Sequence, residues 1–170
     1  MIGDLVPRFT VASLLIALAC SSAQAQEKPI PTRDAPVAVI QNVSARFPEA
    51  RIAGVSTETV DGKQLYEVTL KQNGRAIDVT ATPDGWLTLI EKEIARRQLP
   101  RAVESLLRAQ YPRATYKMIE AVTSVAGSTE TLSFYEVLLI DAKKQALEVQ
   151  VSPDGKAILN VEKKKKGEPD

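Results

Sequence analysis

Two stretches of this chain repeat one another, and that self-similarity constrains the fold more than any other feature of the sequence. Pro36, Ala38, Val39, Val43, Phe47, Pro48 and Ala50 recur in order as Pro100, Ala102, Val103, Leu107, Tyr111, Pro112 and Ala114. Further on, Tyr66-Glu67-Val68 recurs as Tyr135-Glu136-Val137, and Pro83-Asp84-Gly85 as Pro153-Asp154-Gly155. The second copy is the longer, its extra residues falling around positions 126–131.

Each copy opens on a helical pattern. Proline is tolerated in the first turn of a helix, where N–H groups have no partner, and a second proline lies just past the expected end. Val39, Val43 and Phe47, like Val103, Leu107 and Tyr111, recur every four residues and make one apolar stripe. The period then changes to two. Tyr66, Val68 and Leu70 alternate with Glu67, Thr69 and Lys71, and Ile77, Val79 and Ala81 alternate with Asp78, Thr80 and Thr82. Asn73-Gly74 and Asp84-Gly85 punctuate these runs and supply the positive φ angles of tight turns.

The pattern predicts an α+β fold of two tandem repeats, each a helix packed on an antiparallel meander of about four strands, at about residues 52–92 and 116–162. The repeats span residues 35–98 and 99–163, after a linker at 26–34 and before a charged tail at 164–170. Units of this size bury too little surface to be robust alone, so the copies are expected to dock or to continue one sheet.

Ahead of the repeats, residues 11–20 form an apolar run too short to span a bilayer, behind a short segment carrying Arg8. Ala23-Gln24-Ala25 fits the small-x-small pattern of a signal-peptidase site, so residues 1–25 read as a cleaved signal peptide and the product as periplasmic or secreted. The alternative is a lipoprotein anchored through Cys20, because Ala17-Leu18-Ala19-Cys20 resembles a lipobox, though with Ala17 where Leu is usual.

The composition removes several kinds of chemistry. The chain has no histidine, which takes away the usual general base and the commonest zinc ligand, and its only cysteine lies in the leader. A balance of 22 basic and 21 acidic residues provides no field for steering nucleic acid. No phosphate-cradling glycine loop, nucleophile elbow or calcium loop is present. Carboxylates carry the best enzymatic case, since Glu67, Asp78 and Asp84 recur as Glu136, Glu148 and Asp154. Their strand phase and turn positions fit structural roles better. No catalytic, cofactor or metal residue is assigned, and the chain is read as no enzyme.

The Pro-x-Ala-Val helix start, the Phe/Tyr-Pro at its end, the Tyr-Glu-Val strand and the Pro-Asp-Gly turn together resemble the PepSY-like domain family, the beta-lactamase-inhibitor-like group, in two tandem copies over about residues 35–163. The resemblance implies export, the helix-on-antiparallel-sheet fold of the beta-lactamase inhibitor protein, and a tendency to bind proteins. It carries over no target and no catalytic residue.

The function expected is therefore an exported, non-enzymatic protein-binding module that inhibits or modulates an envelope or secreted protein such as a peptidase; a small-ligand-binding or structural envelope protein is the alternative. A binding module predicts an apolar outward patch, a ligand site an enclosed pocket, and an enzyme a cluster of perturbed acids. Comparing outward strand positions between the copies selects Leu138, Ile140 and Ile158, which stand where the first copy has Thr69, Lys71 and Thr88. With Trp86 as an aromatic anchor and Ile90 beside it, these are the candidate partner-binding residues. The partner expected is a protein, with no nucleic acid, no membrane span and no cofactor.

Overall fold

The structure is a computed structural model and describes residues 27–164. The expected leader, with its expected cleavage site and Cys20, and the residues beyond 164 lie outside the described residues.

Nine strands follow one another in the sheet in the order they occur in the chain, and every neighbouring pair is antiparallel. They are β1 (Lys28–Pro29), β2 (Arg51–Val60), β3 (Lys63–Gln72), β4 (Arg75–Ala81), β5 (Leu87–Glu93), β6 (Thr115–Ala126), β7 (Thr129–Ile140), β8 (Ala146–Val151) and β9 (Ile158–Lys163). Two ten-residue helices, α1 (Val37–Arg46) and α2 (Arg101–Gln110), interrupt the series. Residues 28–29, read from the sequence as linker, pair with β2, and Ile30 packs on the core.

This corrects the expected fold class. The chain is a β-dominated fold built on one nine-stranded antiparallel sheet, not an α+β pair of tandem helix-plus-meander repeats. The finding that overturns the expectation is that nine strands form one antiparallel sheet with two ten-residue helices among the described residues, the halves being joined by the ladder between β5 and β6, which runs from Leu89 opposite Ser124 to Glu93 opposite Glu120. An unpaired strand edge leaves a row of backbone N–H and C=O groups without partners, and pairing β5 with β6 satisfies both edges at once. Periodicity within a segment carries no information about that pairing.

Both helices pack on the same side of the sheet. Val39 and Val43 of α1 are fully buried among Val55, Val68, Leu70, Ile77, Val79 and Ala81. Val103 and Leu107 of α2 are buried among Ile119, Val137, Leu139, Leu147, Val149 and Val151. Each such side chain removed from water contributes about 1.5–3 kcal/mol. Pro36 and Pro100 stand at the N-caps with extended backbone and no side-chain cap, so packing rather than capping holds the helices in place.

The Pro-Asp-Gly turns take part in that packing. Gly85 has φ +82° and Gly155 φ +68°, and a Cβ on either would fall against helix backbone, 2.6 Å from the Ala38 carbonyl oxygen or 2.4 Å from the Ala102 carbonyl carbon. Asn42 Nδ2 donates to the Gly85 carbonyl at 2.9 Å, tying α1 to its turn. The glycines are required both for the left-handed backbone and for the close approach. Gly155→Ala should therefore lower stability by about 2 kcal/mol or more, while Gly62→Ala, with φ +74° and no atom within 4 Å, should lose about 1 kcal/mol. Urea unfolding of the two variants checks the difference.

Candidate binding face

Strand parity divides the sheet into two chemical surfaces, since successive side chains point to opposite sides. Val68, Val79, Ile90, Val137 and Val149 belong to the helix side. Their neighbours in sequence form the side that no helix covers. There Glu67 lies beside Thr80, Asp78 opposite Glu91, Glu93 opposite Glu120, Glu120 opposite Glu136, and Glu148 opposite Glu162. Leu89, Met118, Val122, Phe134 and Leu138 share that side.

This face is more enclosed than a bare sheet allows. Val122 is 0% exposed, Glu120 7% and Leu138 8%, with no helix above any of them. The β6–β7 ladder carries two register shifts, one with Lys117 of β6 as the extra residue and one with Ser133 of β7. Bulges increase strand bend and twist. The side chains of a bent sheet then shield one another on its inner surface.

Enclosure changes the acids. Burial, reinforced by neighbouring carboxylates, pushes Glu67 and Glu91 each up to about 8 and Glu120 up to about 7. Burial also raises Asp78 and Glu136, against the opposing pull of the Thr69 hydroxyl on Asp78 and of Gln150, whose Nε2 donates to Glu136 Oε2 at 2.8 Å. At the β9 end, the Lys164 ammonium forms an ion pair with Glu148. Glu67, Glu91 and Glu120 have no hydrogen-bond or cationic partner among the described residues.

The five residues selected from the sequence do not form one surface. Leu138 and Ile140 lie on the helix-free side, where Leu138 is buried rather than outward and exposed. Ile90 is in the core beneath α1, opposite Val79. Ile158 packs on the α2 core opposite Val151, because a register shift between Gln150 and Val151 changes the phase of β9. Trp86 stands apart in the β4–β5 turn, 66% exposed. The sequence reading missed Glu91 and Glu120, which parity alone would have placed on one side but which only the β5–β6 register brings together.

On the helix side an open groove of about 390 Å³ lies beside the end of α1, bordered by Phe47, Ile90, Lys92 and Thr123. It is crossed by a bidentate ion pair in which Arg46 donates to Glu130 at 2.9 and 3.1 Å. A smaller hollow beside α2 is lined by Arg96, Arg108, Tyr111 and Tyr116, where Arg96 stacks 4.5 Å from the centroid of the Tyr116 ring. Among the described residues no group of three His, Cys, Asp or Glu side chains is placed to hold a metal ion, and no helix is long and apolar enough to cross a membrane.

No family model matches the chain, and no curated protein matches it. Solved structures do. A candidate periplasmic protein of Bacteroides eggerthii is 17% identical, with a TM-score of 0.60 over 76% of this chain and 88% of its own. A DUF2874 family protein of Bacteroides uniformis is 17% identical, with a TM-score of 0.59 over 76% of this chain and 89% of its own. A BLIP-like protein of Bacteroides fragilis is 16% identical, with a TM-score of 0.58 over 82% of this chain and 91% of its own. At these identities the likeness is one of fold: the sheet with its two helices is the fold of DUF2874 and BLIP-like proteins.

Two expectations follow. Leu138→Asp should destabilise the protein by about 3 kcal/mol, as a charge forced into an enclosed apolar position does, whereas Trp86→Ala should stay within about 0.5 kcal/mol; thermal unfolding of each compares them. The second concerns pH. The groups facing one another on the helix-free side are Glu27, Glu58, Glu67, Asp78, Glu91, Glu93, Glu120, Glu136, Glu148 and Glu162, against Arg51, Lys63, Lys71 and Lys164. Acids raised above their unfolded value of 4.5 bind more protons folded than unfolded, so the stability they contribute is complete below about 4.5 and is lost as pH rises through about 8. The unfolding temperature should fall between pH 5 and pH 8, with a shallower slope in Glu91→Gln, as read by circular dichroism melts across that range.

Proposed function

We propose that this chain is an exported, non-enzymatic protein-binding module that inhibits or modulates an envelope or secreted protein such as a peptidase, and that it binds through the helix-free side of its sheet. The observation that carries the reading is the face itself: a surface continuous across the strands, uncovered by any helix among the described residues, in which Glu67, Glu91 and Glu120, without partners among those residues, share one side with Leu89, Phe134 and Leu138. A strip of apolar and unsatisfied polar groups on one side of a sheet is what a recognition surface requires.

Several features support the rest of the reading. The leader at residues 1–25 and the candidate periplasmic neighbour support export, and the BLIP-like neighbour and the PepSY-like motif set support an inhibitory role. The clustered, raised acids also favour a second reading, acid–base catalysis by carboxylates alone. Against it, these acids are spread across several strands without converging on one point among the described residues, and the two hollows described above lie on the helix side.

Capture from a periplasmic extract, using three forms of the exported chain, tests the choice of face. The unaltered chain and Thr123→Arg, on the helix side, should retain the same discrete partner, and Leu89→Arg should lose it while melting normally. A partner retained equally by all three, or no partner retained by the unaltered chain, would overturn the reading.

A further inference from the structure

The chemistry of this face narrows the partner, and the narrowing rests on the reading just given. A carboxylate taken out of water needs donors or a counter-charge, and folded proteins seldom leave one without either. Glu120 is more than nine-tenths buried, and the groups whose charges act on it are Glu136, Asp78, Glu148 and Glu93, all of its own sign. Glu91 on β5 and Glu67 on β3 are half-buried and likewise without a donor or a cation among the described residues.

At the β9 end of the same face the chain shows how the demand is met. The Lys164 ammonium is seated on Glu148 with both side chains largely buried, 24% and 19% exposed. Among the described residues no lysine or arginine performs that service for Glu67, Glu91 or Glu120.

We propose that the helix-free face binds a lysine- or arginine-rich segment of a partner protein, laid across the strands so that its cationic side chains seat on Glu67, Glu91 and Glu120 as Lys164 seats on Glu148. The dimensions favour a peptide over a small cation. From β3 to β8 the acids cross five strand spacings, roughly 24 Å, which is about seven residues of extended chain. A single metal ion is disfavoured because no three carboxylates converge on one point among the described residues. Nucleic acid would be repelled by the same charges.

Titration of the whole exported chain with a hexalysine peptide, followed by calorimetry, tests the proposal. Saturable binding is expected at low salt, weakened about tenfold or more by 0.3 M salt. The triple variant Glu67→Gln, Glu91→Gln, Glu120→Gln should melt no lower than the unaltered chain at neutral pH, because it removes three poorly solvated acids, and should lose the binding. Asp61→Asn, in the β2–β3 turn away from the face, should bind normally, and Lys164→Ala, which vacates Glu148, should bind more tightly. Equal binding by the triple variant, equal binding of hexaglutamate, or no binding of hexalysine at low salt would overturn the proposal. Binding seen only after the chain is cut before Lys164 would overturn it too, by assigning the face to the chain's own lysine run. Failure with hexalysine alongside capture that depends on Leu89 would discard the basic segment and leave the choice of face standing.

Discussion

Everything distinctive about this molecule depends on the backbone ladder between β5 and β6. Without it, each half would present a strand edge with unpaired N–H and C=O groups, since the two helices cover separate cores and do not themselves join the halves. With it, the strands share one pleat from end to end, so a single parity decides which side chains face the helices and which do not. The same ladder brings Glu91 of β5 and Glu120 of β6 into one field, and so creates the most perturbed part of the helix-free face.

The charge distribution follows from that parity. The chain as a whole is nearly neutral, with a formal charge of +1. Its acids are nevertheless concentrated on one side of the sheet, where among the described residues Lys71 and Arg51 lie at one edge and Lys164 at the other. Net charge therefore says little about the local potential that a partner would meet. A face that keeps several glutamates half in the protein gives up stability at neutral pH, and Gly85 and Gly155, by letting their turns touch the helices, help the opposite side hold the fold.

The likeness to DUF2874 and BLIP-like proteins is one of architecture, at 15–17% identity. Val39, Val43, Val103 and Leu107 fill the helix–sheet interface, and the glycines of the Pro-Asp-Gly turns allow the contact. These positions answer to packing, which any partner specificity leaves untouched. The acids of the other side are under no such demand.

What the sequence determined by itself was local. The four-residue apolar spacing placed both helices, the two-residue alternation placed the central strands, and Asn73-Gly74 placed a turn, because each of these signals arises among residues close in the chain. Tertiary structure decided the rest. That the strands form one sheet, that Ile90 and Ile158 turn inward, that Leu138 is enclosed without a helix above it, and that Glu91 meets Glu120 all depend on registers and bulges between strands. A one-residue shift in register exchanges the two faces of a strand, and the free energy that selects the register comes from partners far along the chain. Outwardness read from alternation alone therefore failed at those positions, and the acidic face became visible only when its strands were laid side by side.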